Sequence, residues 1–401
     1  MTTDSTDAAP VPQGTLQRSS RDTGAMAGRL ADWLATQLPD GAAPDVVLSG
    51  GSDANGMSSE TILADVSWTE EGARQTGAFV IRMAPSAEDV PVFASYRLDH
   101  QYDAIRLVDQ LSDVPVPTPR WLEPTGEVLG APFFFMERVE GIVPPDVLPY
   151  TFGDNWFHDA APEDRRRLQD QTIAAIAGLH QIGDAARTFT FLDEHSIAAG
   201  GPEGGGTPLR RHFEGTRAWY EWAAKELDRS ALVDRALAWL DTHWPASDVP
   251  GNVVLSWGDA RIGNVLYRDF TPVAVLDWEM AGLGPRELDL GWLVFAHQVF
   301  QTLAETFELP GLPDVLREDD VRATYAELTG VEVGDLTWYR IYSGLIWGVV
   351  FMRTGARQAH FGEIELPDHV DALFHHAPLF TRLLDDAEQR DSEATDRKVG
   401  A

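Results

Sequence analysis

The sequence predicts an α+β protein of two lobes, a small β-rich N-terminal lobe and a larger helical C-terminal lobe. Strand-like runs cluster before residue 141 and amphipathic helical stretches follow it. One hairpin-like pair of apolar runs, at 265–276, interrupts the helical half. The chain also has 401 residues, 44% of them hydrophobic, which is more than one ordinary core accommodates.

Taken in order, the first stretch, MTTDSTDAAPVPQGTLQRSSRDTG, has no apolar core and is no signal peptide, so residues 1–23 are expected to be disordered. Runs at 45–49, 60–68 and 77–83 read as strands. Residues 96–111 read as a helix with Tyr96, Leu98, Tyr102, Ile105, Leu107 and Val108 on one stripe. A Pro-broken connection, VPVPTPRWLEP, then leads to a strand pair ending at 131–136. The expected divisions are a nucleotide-binding N-lobe at 24–136, a linker at 137–141, a C-lobe at 142–384 and a mobile charged tail at 385–401.

Within the C-lobe, 165–182, 213–227 and 230–244 read as helices. GLIWGVVFM, 344–352, is too short to span a bilayer and reads as part of a buried helix. GGPEGGGTP, 200–208, has no preceding strand and no following Lys, so it reads as a flexible surface connection and not as a phosphate loop.

Composition excludes several classes. Thirty-one basic residues against 63 acidic give a net charge of −32, which argues against nucleic-acid and anionic-membrane partners. With no cysteine, disulfides, thiolate nucleophiles and Cys-type zinc sites are excluded. The 11 His show no metal-ligand spacing, and the adjacent His375 and His376 cannot share a helix face. A soluble, cytoplasmic protein acting on a small molecule is the expectation.

The informative stretch is LSWGDARIGN, 255–264, followed by VLYR, a turn at Asp269-Phe270, and VAVLDWE ending at Glu279. Phosphoryl transfer to a hydroxyl needs a carboxylate to orient and accept the proton, oxygen ligands for Mg²⁺, and cations over the phosphate. Asp259 supplies the first and Asn264, five positions later, an oxygen ligand; the hairpin returns Asp277 beside Asn264 to complete a Mg²⁺ pair. Singly, each has a structural reading: Asp259 as a cap, Asn264 as a turn residue after Gly263, Asp277 as a strand end. In this order, with a hairpin between them, the functional reading is preferred.

WGDARIGN, VLDWE and Leu288-Asp289-Leu290-Gly291-Trp292 together resemble the aminoglycoside phosphotransferase family, over most of the chain from about Arg21 to Leu384. The chain looks most similar to the kinase-like domains attached to some acyl-CoA dehydrogenases and to mycobacterial proteins assigned as aminoglycoside phosphotransferases. The resemblance implies a protein-kinase-like fold and a cytoplasmic kinase using ATP and Mg²⁺, with Asp259 as base, Arg261 as the catalytic-loop cation, and Asn264 and Asp277 as metal ligands. By the same resemblance Asp289 is structural, bonding loop amides, and Trp257 stands where the family usually has His.

The loop at 49–59, with Gly56, Met57, Ser58 and Ser59, suits a cover over phosphates. Arg82 resembles the family's phosphate-binding Lys, and Gln101 its helix partner Glu, which reduces that ion pair to an expected neutral hydrogen bond. Met136, Glu137 and Val139 resemble the linker that holds adenine. For the acceptor, Asp154, Asn155, Trp156, His212, Arg217, Trp219, Tyr220, Tyr342, Trp347, Arg353 and Arg357 are cleft candidates, with core packing the better reading for each. Arg353 and Arg357 lean towards a hydroxyacyl thioester-like metabolite; an aminoglycoside-like acceptor is the other possibility. A nucleotide-binding pseudokinase is the competing class, motivated by Arg82, Gln101 and Trp257.

Overall fold

The computed structural model describes residues 25–49, 59–193 and 206–399. The expected disordered segment at 1–23 lies outside them. The N-terminal lobe is built from helix α1 (Met26–Gln37), strands β1 (Asp45–Ser49), β2 (Glu60–Glu70) and β3 (Ala73–Met83), helix α2 (Leu98–Leu111), and strands β4 (Pro119–Glu123) and β5 (Phe133–Glu137). These five strands form one antiparallel sheet in the order β1-β2-β3-β5-β4. Strands β2 and β3 are joined through Glu71 and Gly72, both at positive φ, the two-residue turn whose twist matches paired strands.

Alternation along β5 sorts its aromatics between two cores. Phe133 and Phe135 point to the face covered by α1, where Trp33 meets Phe133 edge-on at 4.9 Å among buried Leu30 and Leu34. Phe134 and Met136 point to the other face, against Leu98, Ala104, Ile105 and Val108 of α2. That second core is continuous with the interior of the helical lobe.

The stretch read as a Pro-broken connection contains β4. Pro119 opens that strand and β4 sits at the sheet edge, where a missing ladder donor is tolerated.

The C-terminal lobe runs through α3 (Pro162–His180), α4 (Ala185–Thr188), α5 (Thr190–Asp193), α6 (Pro208–Ala223) and α7 (Ala231–Thr242). It continues with β6 (Val254–Ser256), β7 (Val265–Arg268), β8 (Thr271–Val275) and β9 (Gly282–Gly284). Helices α8 (Glu287–Thr306), α9 (Glu318–Thr329), α10 (Thr337–His360) and α11 (Ala377–Val399) close it. Strand β6 pairs with β9, and β7 with β8 across the turn at Asp269 and Phe270, both at positive φ. Among the described residues no helix is long and apolar enough to cross a membrane.

Two further sequence expectations differ from the structure. The charged tail expected from Asp385 onward continues as α11, because Phe380, Leu383, Leu384 and Ala387 form a buried stripe. Its acids also have partners: Arg235 pairs with Asp385 at 2.6 Å and Glu388 at 2.7 Å, and Trp239 donates to Asp391 at 2.9 Å. Second, Arg353 and Arg357 do not line an acceptor groove. Arg353 donates to the Pro91 carbonyl at 3.1 and 3.0 Å and pairs with Glu226, and Arg357 donates to the Asp89 carbonyl. With Trp219 donating to the Val92 carbonyl at 3.0 Å, they fasten the strap ahead of α2 to the helical lobe.

Candidate active site

The segment between β6 and β7 is held from behind by one carboxylate. Asp289, fully buried near the start of α8, accepts from the Ser256 hydroxyl at 2.7 Å and from the amides of Trp257 at 2.9 Å and Gly258 at 3.0 Å. His180 lies 3.0 Å away and in turn meets the Tyr325 hydroxyl at 2.9 Å. Burial raises the Asp289 pKa, but its bonds to His180, the Gly258 amide and Ser256 outweigh that and hold it below the usual carboxylate range.

Trp257, also buried, donates its indole N–H to the Leu276 carbonyl at 2.8 Å, tying this loop to the strand end before Asp277. Gly258 sits at φ +90°, and a Cβ there would lie 2.1 Å from the Met280 carbonyl oxygen, so only glycine fits the crossing.

On this support the expected residues come together. Asp259 Oδ1 accepts from Trp292 Nε1 at 2.8 Å and from Arg261 Nε at 3.0 Å, while Oδ2 accepts from Asn264 Nδ2 at 2.6 Å. Leu276 donates its amide to the Asn264 carbonyl at 2.8 Å, which brings Asp277 alongside Asn264 across the hairpin. Asp277 itself adopts a left-handed φ of 60°. Burial pushes its pKa up and the Asp259 charge adds to this, with Arg82 and Arg261 opposing. Arg261 also donates from Nη1 to Asp146. Burial alone would lower the Arg261 pKa, but the Asp146 and Asp259 carboxylates raise it, so the guanidinium stays charged.

Arg82 reaches this cluster from β3. It donates to the Thr61 hydroxyl at 2.9 Å and to Asp277 Oδ1 at 3.0 Å, with Glu279 at 3.6 Å. The hydrogen bond expected between Arg82 and Gln101 is therefore replaced by carboxylate partners. A nearly buried guanidinium is better compensated by anions than by a neutral carboxamide. Gln101 is buried and faces the same narrow space as Arg82, Ile105, Phe134, Met136 and Asp277.

At the linker, the Glu137 amide donates to the Thr118 carbonyl at 2.9 Å and the Arg138 amide to Ala78 at 2.9 Å. Met136 is buried, while Glu137 and Val139 are partly exposed. Gly56, Met57 and Ser58 lie outside the described residues. Ser59 is buried, its hydroxyl without a hydrogen-bond partner among them.

An Asn carboxamide oxygen and a carboxylate on adjacent hairpin ends are hard oxygen donors of the kind Mg²⁺ takes, and the carboxamide nitrogen of Asn264 is already turned to Asp259. The residues fit that ion.

Sequence reasoning did not pick out Asp146, Trp292, Thr61 or Glu279 as site residues. Trp292 had a signal: it follows Asp289 by three positions, so both project from one face of α8. Asp146 had none, since its partner lies 115 residues away. The remaining cleft candidates are largely committed to packing. His212, Thr216 and the Tyr342 hydroxyl form one network, Tyr220 bonds Ser230, Arg217 bonds Glu214, and Trp347 meets Trp292 at a tilt and Phe295 edge-on. Asn155 accepts from the His158 amide, and Trp156 donates to the Val143 carbonyl.

Residues 62–318 match the phosphotransferase enzyme family, APH. This chain belongs to that family. Over 270 residues it is 25% identical to an Arabidopsis thaliana protein named as an acyl-CoA dehydrogenase, IBR3, the match covering 65% of this chain and 30% of that one. It is 24% identical over 214 residues to human acyl-CoA dehydrogenase family member 11, covering 53% and 24%. The phosphotransferase chain thus spans less than a third of the length of these relatives.

Among solved structures, an aminoglycoside-phosphotransferase-assigned protein of Ralstonia eutropha aligns with a TM-score of 0.62 at 20% identity, covering 90% of this chain and 98% of that one. An ethanolamine kinase of Plasmodium vivax aligns with a TM-score of 0.54 at 10% identity, covering 88% and 87%. These likenesses establish the two-lobed, protein-kinase-like α+β fold.

Proposed function

We propose that this phosphotransferase is a small-molecule kinase that moves the γ-phosphoryl group of ATP to a hydroxyl of a small metabolite. The observation that carries the reading is the convergence of Asp259, Asn264 and Asp277, linked by the 2.6 Å bond between Asn264 and Asp259 and by the Leu276 amide on the Asn264 carbonyl. In the proposed reaction the acceptor oxygen forms a bond to the γ-phosphorus as the bond to the β,γ-bridging oxygen breaks. The hydroxyl proton passes to the Asp259 carboxylate and ADP leaves.

Asn264 and Asp277 would hold Mg²⁺, which when bound neutralises and orients the β- and γ-phosphates. Arg82 would meet the α- and β-phosphates, Gln101 would border that site, and the loop from Gly56 through Met57 and Ser58 to Ser59 would cover it. Adenine would lie against Met136 and bond the backbone of Glu137 and Val139. Arg261 would address the transferring group. The acceptor reading remains a hydroxylated metabolite, of hydroxyacyl thioester-like or aminoglycoside-like chemistry. The relatives named as acyl-CoA dehydrogenases support the former; the Arg353 and Arg357 contacts remove the argument from those side chains. The N-lobe, linker and C-lobe divisions at 24–136, 137–141 and 142–384 belong to the same reading.

One observation favours a second reading, a nucleotide-binding scaffold without turnover: Arg82 is paired to Asp277, the same carboxylate assigned to the metal. The two readings separate in one experiment. Protein, MgATP and a panel of hydroxyacyl-CoAs, aminoglycosides and other hydroxylated metabolites are incubated and searched by mass spectrometry for an acceptor gaining a phosphoryl group. A product made by the unmodified protein and not by Asp259→Asn supports the kinase, whereas nucleotide binding with no product supports the scaffold.

A further inference from the structure

Asp146 lies outside both strands of the catalytic hairpin, yet its Oδ2 accepts from Nη1 of Arg261, whose Nε is bound to Asp259. The loop carrying Asp146 is fixed at three points. Ile142 and Tyr267 exchange backbone hydrogen bonds at 3.0 and 2.8 Å, Tyr150 donates its amide to the Pro145 carbonyl at 2.8 Å, and Trp156 donates to the Val143 carbonyl at 3.0 Å. Space for the pair is reserved by glycine. A Cβ on Gly263 would lie 2.5 Å from Asp146 Oδ1 and 2.6 Å from Arg261 Nη1. Asp146 Oδ1 is buried without a hydrogen-bond partner among the described residues, so the carboxylate is held there for the one bond it makes to Arg261.

We infer that Asp146 is a positioning residue, which sets the orientation of the Arg261 guanidinium towards the transferring phosphoryl group while Nε alone rests on Asp259, 3.0 Å from Oδ1 and 3.2 Å from Oδ2. The inference rests on the kinase reading above. A guanidinium is a planar fork, so anchoring Nε and Nη1 to carboxylates on different sides fixes both its place and its in-plane rotation. Nη2 is then the end engaged by neither carboxylate. Without Asp146, the strongest remaining partner of Arg261 is Asp259 itself, and a two-pronged Arg–carboxylate pair would turn the guanidinium away from the transferring group and tighten its hold on oxygens that Nε already contacts.

The test does not need the acceptor. Affinity for MgADP is measured with and without aluminium fluoride, a mimic of the phosphoryl group in transit, for the unmodified protein, Asp146→Ala, Asp146→Asn and Arg261→Ala. Thermal melting is recorded for each. The expected result is that aluminium fluoride tightens MgADP binding to the unmodified protein. Asp146→Ala loses about tenfold or more of that tightening, roughly 1.4 kcal/mol, while its MgADP affinity and melting stay near those of the unmodified protein; Arg261→Ala loses the tightening as well. Asp146→Asn, which keeps an acceptor oxygen but not the charge, retains part of it. Tightening in Asp146→Ala equal to that of the unmodified protein overturns the positioning role and leaves the kinase reading standing. Loss of MgADP affinity and of melting temperature in parallel with the tightening also overturns it, in favour of a purely structural contact. No tightening in the unmodified protein, with MgADP bound, overturns it too, and no MgADP binding at all overturns both.

Discussion

Trp292 donates its indole N–H to Oδ1 of Asp259 at 2.8 Å, so the carboxylate read as the base is oriented by the same helix that anchors its loop. Trp292→Phe keeps the ring in its packing and removes the donor. A hydrogen bond to a charged group contributes about 1.5–3 kcal/mol. Turnover of MgATP should therefore fall roughly tenfold or more, with MgADP affinity unchanged. Steady-state assay beside calorimetric MgADP titration checks this; full turnover in the variant would remove Trp292 from the account.

Asp289 satisfies two loop amides and a hydroxyl while paired with His180. Asp289→Ala leaves these donors buried and unmatched, and should cost about 3–5 kcal/mol in urea unfolding. Because the folded pKa of Asp289 is depressed, its stabilising contribution is fully present above the unfolded carboxylate range. It is lost as pH falls through the folded value. The stability gap between the two proteins should accordingly be constant above the unfolded carboxylate range and narrow progressively as pH falls below it.

Gly258→Ala combines a left-handed φ with a backbone clash against Met280. Destabilisation of about 2 kcal/mol or more is expected, together with loss of turnover, since the loop cannot shift without moving Asp259. A variant matching the parent in both denaturant midpoint and turnover would contradict the described crossing.

His212, His297 and His376 are each pushed down to about 4 by burial, and each is hydrogen-bonded in the neutral form, His212 and His297 to tyrosine hydroxyls and His376 to the Gly344 carbonyl. The unfolded chain therefore takes up protons at these sites between about pH 6.5 and pH 4 while the folded chain does not. Their contribution to stability is present above that window and declines as pH drops through it. Ring resonances in NMR should show three histidines still neutral at pH 5. Protonation of all of them near pH 6.5 would contradict the packing described here.

Much of the site could be read from the sequence because its parts are local. Asp259 and Asn264 share one loop, and the hairpin that returns Asp277 is marked by its apolar runs and its turn. Asp289 as a carboxylate binding loop amides was implied by the family resemblance, and the amides of Trp257 and Gly258 do bond to it. What could not be read depends on meetings between distant segments. Arg82 finds Asp277 195 residues away and not Gln101, and Arg261 finds Asp146 across 115. Arg353 and Arg357 looked available because they follow an apolar helical run, but the carbonyls that claim them belong to a strap more than 260 residues earlier. For α11, charge density was mistaken for solvation because the buried face, Phe380 through Ala387, is narrow and its acids are matched by Arg235 on another helix.

The central claim is that Asp259 accepts the hydroxyl proton during transfer from ATP. Its most direct measurement is phosphoryl transfer by Asp259→Asn against the unmodified protein, using an acceptor identified from the metabolite panel, with MgADP affinity measured in parallel. With Asp259 as the base, the rate should fall by about 10²–10⁴ with nucleotide binding retained. Equal rates in the two proteins would contradict it.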